Sequence, residues 1–269
     1  MTKQLLSKIE GCYSSMSKGH KRIADYITEN YDKAAFMTAA KLGDTVGVSE
    51  STVVRFASEL GFSGYPQLQK TLQEVVKSRL TSVQRMEAAG GEDMLEHAFS
   101  SDIETIKATR ESISREAFNA SVEAINRAKH IYVLGVRSAA SLASFAAFYL
   151  NFVYDSVTLI EPAGTGEAFD QAFRINKDDV CIAISFPRYS KQTINMLRFI
   201  SDRGATVISV TDSENSPIAQ FATHLLLARS SMVSFVDSLV APLSLINALI
   251  AAAASEKSGE VYSNLSSLE

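Results

Sequence analysis

The sequence has 269 residues, of which 46% are hydrophobic and 21% charged, with a formal net charge of −4, a composition typical of a globular protein with two moderate cores. The first residues contain no apolar signal segment, and the longest apolar stretch, residues 239–254, is interrupted by a proline and two polar residues, so we expect neither export nor a membrane span. Cys12 and Cys181 lie far apart, without a Cys-x-x-Cys motif or a histidine cluster nearby. This spacing excludes a disulfide framework and a structural zinc motif, and we expect a cytoplasmic protein without metal or cofactor.

The charge is distributed unevenly along the chain. Residues 1–80 carry 11 Lys and Arg against 8 Asp and Glu, whereas residues 81–269 carry 15 against 22. The basic excess of the first segment is compatible with contacts to nucleic-acid phosphates, although many unrelated domains reach the same balance.

Apolar residues recur at helical spacing up to Leu80, with short breaks at glycines. We therefore expect a compact all-helical domain over residues 1–80. The polar, helix-permissive segment 81–122 contains the pair Gly90-Gly91 and is predicted to be a linker followed by a leading helix. The second domain is expected over residues 123–262.

Within the helical domain, residues 38–61 have the pattern of a helix, a tight turn and a second helix. Gly47 allows the sharp turn, and Ser49 is a good N-cap for the second helix, whose apolar residues share one inner face. Its first turn and Arg55 would then face outward, as in a recognition helix that enters the major groove of DNA. The alternative is a helical hairpin without DNA contacts.

The turn after this helix, residues 61–66, is bracketed by glycines and carries hydroxyl groups that could contact a phosphate strand. Phe62 and Tyr65 could equally be packing anchors. The residues predicted to contact double-stranded DNA are Lys41, Ser49, Ser51, Thr52, Arg55, Ser63 and Tyr65.

The second half of the chain has a different pattern, in which short apolar runs rich in β-branched residues alternate with helix-compatible segments. The runs are residues 130–135, 157–160, 180–185, 206–211 and 223–227. Near-continuous apolar strands separated by helices predict a parallel sheet covered on both faces, in an α/β domain. Ligands are expected where the carboxyl ends of such strands meet helix N-termini.

Two strand ends carry candidate anion-binding residues. After the first strand, Gly135, Arg137 and Ser138 precede a helix whose unpaired backbone N–H groups and dipole would attract an anion. This segment lacks the second and third glycines of a dinucleotide fingerprint and is not a P-loop, so we do not expect a nucleotide. After the third predicted strand come further polar candidates, Ser185, Arg188, Tyr189 and Ser190.

Alternative roles remain open for these polar side chains. Ser185 and Ser190 could simply cap the following helix. Thr211, at the end of the next strand, could line the same crevice or only turn the chain.

The pattern Ser49-x-Ser51-Thr52-Val53-x-Arg55-Phe56, followed by Gly61-Phe62-Ser63-Gly64-Tyr65, resembles the signature of RpiR-type transcriptional regulators. Members of that family join an N-terminal helix-turn-helix to a C-terminal sugar isomerase (SIS) domain, a flavodoxin-like α/β/α sandwich, and the second half independently resembles the SIS pattern. The resemblance implies a regulator that senses a phosphosugar. It also implies a homodimer or homotetramer.

By resemblance to SIS domains, Ser138, Ser185 and Ser190 are expected to bind the phosphosugar. The sequence departs from the common pattern at Pro187, where a second serine is usual, and at Arg188, where glycine is usual. Because arginine pairs with carboxylate as well as phosphate, our hypothesis is an anionic sugar derivative or related acid as the ligand.

The alternative function is a phosphosugar isomerase with a fused helical domain, which needs a base beside the carbonyl. The candidate bases occupy positions that are more typical of a surface or a pocket rim. They are Glu161, Glu167, Asp170 and His224. The remaining histidines form no metal motif or catalytic triad; they are His20, His97 and His130. We therefore favour binding without turnover.

One helix-turn-helix covers a single half-site, so regulators of this form generally bind near-symmetric operators as dimers. The apolar helix predicted over residues 238–254 is either a subunit-contacting element or a core helix within one protomer.

Overall fold

The computed structural model describes residues 8–9, 11–79, 93–161, 165–232, 236–257, 259 and 266. The chain divides into two compact units, Met1–Ala88 and Ala89–Glu269, called here the helical unit and the α/β unit. The predicted Gly90-Gly91 break lies outside the described residues. No helix in the described part of the chain has the length and apolarity needed to cross a membrane.

The helical unit is all-α, as predicted. Its helices of four residues or more are α1 (Lys18–Glu29), α2 (Tyr31–Ala34), α3 (Ala39–Val46), α4 (Glu50–Glu59) and α5 (Tyr65–Arg79). Their apolar faces meet in one core, whose fully buried side chains include Ile23, Ile27, Leu42, Phe56 and Leu68. The unit is held together by burial of these apolar faces rather than by helix propensity.

The predicted helix, turn and helix over residues 38–61 are confirmed. Thr38 caps α3 by accepting from the Lys41 N–H group. Gly47 ends α3 in the left-handed conformation, with φ 71°, a backbone angle that glycine adopts at little cost. Ser49 caps α4 by accepting from the Thr52 N–H group.

Gly43 allows the two helices of this motif to cross closely. A Cβ atom at this position would lie 2.8 Å from the carbonyl oxygen of Val48, closer than van der Waals contact allows. The Val48 N–H group in turn donates to the Gly43 carbonyl oxygen at 2.9 Å. The close approach of α4 to α3 therefore depends on glycine at position 43, which has no side chain.

The α/β unit alternates strands and helices, as predicted. Its elements in chain order are α6 (Met94–Ser112), α7 (Arg115–Arg127), β1 (Ile131–Gly135), α8 (Ala139–Leu150), β2 (Val157–Ile160), α9 (Thr165–Ala172), β3 (Val180–Ile184), α10 (Lys191–Asp202), β4 (Thr206–Thr211), a short 3-10 helix (Ala219–Phe221), β5 (His224–Leu227), β6 (Ser231–Met232), β7 (Asp237–Ser238) and α11 (Val240–Ser255). Each of the first five strands lies within one of the apolar runs identified in the sequence.

Strands β1 to β5 form a parallel sheet in the order β2-β1-β3-β4-β5. This is the flavodoxin-like order, in which the chain reverses its direction of strand addition between β1 and β3. The loops that follow β1 and β3 leave the sheet toward opposite faces, and a crevice forms between them at the carboxyl edge. The strand order thus brings together the two predicted anion-binding segments.

Both faces of the sheet are covered by helices. Residues of α7, α8 and α11 pack against one face, and residues of α9 and α10 pack against the other. In β1, for example, Val133 contacts the first core and Leu134 the second. Because both faces of the sheet are buried, the strand sequences are continuous apolar runs and do not alternate between apolar and polar residues.

Helix α11 is a core element of one protomer, which was one of the two interpretations left open. Leu245, Ile246 and Leu249 are each no more than 5% exposed and belong to the core that covers the sheet. Its strong apolarity is therefore explained by packing inside the unit.

Candidate functional sites

Helix α4 presents a polar outer face. Val53, Phe56 and Ala57 are fully buried on its inner side, while Ser51 and Arg55 are exposed on the other. Burial of the apolar face thus orients the first turn of α4 away from the core, as the sequence predicted.

Three hydroxyl groups form a cluster at the start of α4. The Oγ atom of Ser49 lies 2.9 Å from Ser51 Oγ and 2.8 Å from Thr52 Oγ1. Arg55, one turn later, donates from Nε to the Ser51 carbonyl oxygen at 3.3 Å. Hydroxyls can donate and accept at once, so this cluster and the adjoining guanidinium can contact base edges or phosphates.

The other predicted contact residues have different environments. Lys41 and Ser63 are exposed and remain candidates. Tyr65, in contrast, is only 3% exposed, and its hydroxyl donates to the Met37 carbonyl oxygen at 2.7 Å. Burial raises the pKa of Tyr65 to about 12. Tyr65 is therefore a packing anchor, and the prediction that its hydroxyl meets a phosphate is not supported.

Sequence reasoning missed the residues of α1 that support the motif. Arg22 donates from Nη1 to the carbonyl oxygen of Gly47 at 3.3 Å, and His20 Nδ1 lies 2.5 Å from Glu59 Oε2. These contacts attach α1 to the turn and to α4. They join residues far apart in sequence, so no local pattern could have revealed them.

In the α/β unit, a crevice opens at the carboxyl edge of β1 and β3. It is lined by Val136, Arg137, Ser138, Ala139, Ser185, Phe186, Pro187, Arg188 and Ser190. The structure therefore brings together five of the eight residues predicted to bind the ligand. These come from the loops before α8 and α10, so the N-termini of both helices meet here.

The three serines of the crevice differ in what their hydroxyls do. Ser138 occupies the N-cap position of α8 without a side-chain capping bond. Ser185 is 5% exposed, and its hydroxyl makes no hydrogen bond with any described residue. Ser190 caps α10 by accepting from the Gln192 N–H group at 3.2 Å. The capping interpretation thus holds for Ser190, while Ser138 and Ser185 have hydroxyls to offer a ligand.

Two arginines reach the crevice from strained backbone positions. Arg137 has φ 60° and Arg188 has φ 71°, and no other non-glycine residue among those described has positive φ. Non-glycine residues in this region cost about 1–3 kcal/mol each and cluster at functional sites. The Arg188 guanidinium forms an ion pair with Asp237 of β7.

The remaining predicted ligand residues do not line the crevice. Gly135 is buried at the end of β1, where a Cβ atom would lie 2.6 Å from the Ala139 carbonyl oxygen, so it serves the close packing of α8. Thr211 is fully buried. The Tyr189 hydroxyl donates to Asp212 Oδ1 at 2.5 Å and thereby ties the loop after β3 to the loop after β4. Burial and the Asp212 carboxylate raise the pKa of Tyr189 well above its usual range.

The candidate bases of the isomerase alternative lie elsewhere. Glu161 and Asp170 are exposed, and the side chain of Glu167 lies outside the described residues. His224 begins β5, so it lies at the amino edge of the sheet, opposite the crevice. His130, at the same edge, is bonded to Ser156 and Thr158, and burial lowers its pKa.

No group of three or more metal-ligating side chains occurs within the part of the chain that the structure describes. Cys12 and Cys181 are free thiols, and burial raises the pKa of Cys181 to about 12.

Comparison with known proteins identifies both units. Residues 3–79 match the model of the helix-turn-helix domain of the rpiR family, and residues 124–252 match the SIS domain. The sugar isomerase domain of an RpiR transcription factor from Sphaerobacter thermophilus is 30% identical, with a TM-score of 0.60, and the match covers 63% of this chain and 94% of that one. This chain belongs to the RpiR family of transcriptional regulators.

Relatives of this RpiR chain are similar over most of its length. An HTH-type transcriptional regulator of Haemophilus influenzae is 26% identical over 83% of this chain and 79% of the relative. The regulator HexR of Pseudomonas aeruginosa is 25% identical over 82% of this chain and 77% of its own. Vibrio vulnificus NanR, solved with ManNAc-6P, shares the fold with a TM-score of 0.61 and 23% identity over 98% of this chain and 97% of that chain.

Proposed function

We propose that this RpiR regulator binds a near-symmetric DNA operator through α4 and senses a phosphosugar or related anionic carbohydrate in the crevice between β1 and β3. The observation that carries the effector half of the proposal is the convergence of Ser138, Ser185, Arg137 and Arg188 at one pair of helix N-termini. Apart from the Arg188–Asp237 ion pair, the side chains of these four residues form no hydrogen bond or ion pair with any residue that the structure describes. We also propose a cytoplasmic homodimer or homotetramer.

The crevice suits an anion because several independent features favour negative charge. The N-termini of α8 and α10 direct unpaired N–H groups and helix dipoles toward it. The backbone N–H groups of Arg188, Tyr189 and Ser190 donate to no acceptor in the described part of the chain. A phosphate group would satisfy these donors, and the structure of NanR with ManNAc-6P supports the same class of effector.

Arg188 favours an effector that carries a second acidic group. Its guanidinium is held by a carboxylate, Asp237, so a carboxylate on the ligand could replace Asp237 with similar geometry. We therefore expect a phosphorylated sugar acid to bind more tightly than the corresponding sugar phosphate that lacks the carboxylate.

Control of DNA binding requires that the effector prefer one arrangement of the protein over another, because a ligand shifts an equilibrium only by its differential affinity. The separation of two recognition helices in a dimer is a quantity that such a shift would change.

The DNA half is tested by fluorescence anisotropy on duplexes from around its own operon, at low and moderate salt. We expect binding that weakens as salt rises. Arg55→Ala should cost about 1–3 kcal/mol on the operator if Arg55 contacts a guanine, and should weaken binding to all sequences if it contacts a phosphate. Lys33→Ala, at an exposed position of α2, is the matched control. Absence of any complex at low salt would refute the proposal.

The effector half is tested by titration calorimetry with inorganic phosphate, hexose 6-phosphates, a phosphorylated sugar acid and neutral sugars. We expect the phosphorylated sugars to bind and to change operator affinity. Binding by neutral sugars alone would contradict an anionic effector. Ser138→Ala and Ser185→Ala should weaken the effector response and leave effector-free DNA binding intact.

The isomerase alternative is kept because the phosphoheptose isomerase GmhA shares the fold of the α/β unit. Incubating the purified chain with aldose and ketose phosphates and following them by NMR decides between the two. Steady product formation would favour an enzyme, whereas effector-dependent operator binding without turnover would favour the regulator.

A further inference from the structure

Among the described residues of α4, the exposed large apolar side chain is that of Val54. It is 39% exposed, whereas Val53, Phe56 and Ala57 on the inner side of the helix are fully buried. Because successive residues of an α-helix are turned by about 100°, Val54 lies on the outer face together with Ser51, one turn before it. Packing in the core therefore does not explain a valine at this position.

The side chains beside Val54 leave it uncovered. Arg55 donates from Nε to a backbone carbonyl oxygen one turn earlier, and Ser58 donates from Oγ to the Val54 carbonyl oxygen, both at 3.3 Å. Both neighbours thus bond to the backbone of α4 itself. The methyl group of Thr52 lies toward α1, where it would be 3.4 Å from a Cβ atom at Gly19. Val54 is therefore the apolar group that α4 presents outward.

Helix stability does not favour valine at this position either. A β-branched residue is a poorer helix former than alanine, leucine, lysine or glutamate, and an apolar group that stays in water gains nothing from the hydrophobic effect. The same branching holds a helical valine in one dominant rotamer, so little side-chain entropy is lost when it makes a contact. Val54 is thus poorly suited to stabilising α4 and well suited to fitting a complementary surface.

We infer that Val54 contacts the C5 methyl group of a thymine in the major groove and thereby sets the base preference of the operator at that position. The inference rests on the proposed binding of DNA through α4. Thymine displays a methyl group in the major groove, and apolar side chains are its partners there. The hydroxyls and the guanidinium beside Val54 recognise hydrogen-bonding groups. Valine adds a contact of a different kind, which hydrogen bonds do not supply.

A base edge suits this side chain better than the phosphate backbone does. Phosphates are bound by positive charge and by hydrogen-bond donors, and the side chain of Val54 offers neither. Glu50 is exposed and lies one turn before Val54 on the same side of α4, where its carboxylate would repel a phosphate. Charge thus directs this flank of α4 toward the bases.

The experiment removes the thymine methyl groups of the DNA one at a time. In the most tightly bound duplex from around its own operon, each thymine in turn is replaced by deoxyuridine, which differs only in lacking the C5 methyl group. Fluorescence anisotropy then measures the affinity of the full chain for each duplex. We expect a loss of about threefold to fivefold at one thymine of each half-site, the effect of leaving one methyl group without an apolar partner.

Val54→Ala identifies the side chain that makes the contact. This variant should bind the thymine duplex about threefold to tenfold more weakly than the wild type, and it should no longer distinguish thymine from deoxyuridine at the sensitive position. Val240→Ala is the matched control, because Val240 is 38% exposed and begins α11 in the other unit. It should keep the affinity of the wild type and its sensitivity to deoxyuridine. Thermal unfolding verifies the fold of both variants.

Equal affinity of the wild type for thymine and deoxyuridine at every position would overturn the inference. So would a Val54→Ala variant that keeps its sensitivity at the same thymine, because another side chain would then contact the methyl group. Equal weakening of this variant on the operator and on an unrelated duplex would also contradict a contact with one base. Failure of the proposed function has a different outcome, the absence of any complex with the unmodified duplexes, and it would remove the thymine contact as well.

Discussion

Arg137 and Arg188 share an unusual left-handed backbone conformation, with φ 60° and 71°, just beyond the ends of the neighbouring strands β1 and β3. Each residue lines the same crevice. Glycine would adopt these angles without strain, so each arginine costs stability at its position. Under the proposed function its side chain contributes to effector affinity, and substitution can separate the two effects.

Arg188→Gly should lose affinity without losing stability. Relief of backbone strain, about 1 kcal/mol or more, offsets the loss of a partly exposed ion pair with Asp237, worth about 0–1 kcal/mol. Urea denaturation should therefore give an unfolding free energy within about 1 kcal/mol of the wild type. Affinity for a phosphorylated sugar acid, measured by calorimetry, should fall about tenfold or more. Arg188→Lys, which keeps the charge, is the control; equal affinity in all three proteins would remove Arg188 from the site.

Ser185→Ala and Ser190→Ala should separate ligand binding from helix capping. Ser190 caps α10, so its replacement should cost about 1 kcal/mol of stability. The Ser185 hydroxyl bonds to no described residue, and its replacement should change stability by less than about 0.5 kcal/mol. Both variants should bind inorganic phosphate and phosphosugars more weakly. A Ser185→Ala variant that is destabilised but binds normally would assign this serine a structural role.

Gly43→Ala should disrupt the crossing of α3 and α4. Its Cβ atom would lie 2.8 Å from the Val48 carbonyl oxygen, and forcing the helices apart costs about 1–3 kcal/mol. Thermal unfolding should show the loss, and operator affinity should fall because α4 is displaced. Gly11→Ala is the control, since no atom lies within 4 Å of a Cβ atom there. Normal stability of Gly43→Ala would show that the two helices can separate at no cost.

The helical unit should lose stability in strong alkali through Tyr65. Burial raises the pKa of Tyr65 to about 12, whereas in the unfolded chain it is about 10. At a pH between these two values the folded protein keeps the phenol protonated, whereas the unfolded chain ionises it. The contribution of Tyr65 to the free energy of unfolding is therefore complete below pH 10, and it is lost as the pH rises through the folded pKa. Unfolding followed between pH 9 and pH 12 should show a steeper decline for the wild type than for Tyr65→Phe. Parallel curves would indicate that Tyr65 is not protected from solvent.

Local chemistry explains why much of this fold could be predicted. The capping serine Ser49 and the left-handed Gly47 act on residues close to them in sequence, so their roles are visible in the sequence. The apolar runs of the sheet are equally local, because both faces of each strand are buried. The family signature lies on these same residues.

Tertiary structure alone decided the positions that depend on distant partners. Tyr65 has a hydroxyl suited to phosphate contact, yet it packs inside the core and bonds to Met37. Gly135 resembles a ligand loop residue, yet it is required by the approach of α8 to β1. In each case the deciding neighbour is set by packing of whole elements, which no local pattern encodes.

The sequence by itself determined the all-helical and the α/β parts of the chain, the helix, turn and helix of residues 38–61, and the serines and arginines that follow β1 and β3, because capping, turn formation and burial of apolar runs are short-range effects. Only the tertiary structure decided which of those polar groups share a crevice and that Asp237 holds Arg188. These features arise where separate elements converge, and convergence follows from the strand order and from how the helices cover the sheet.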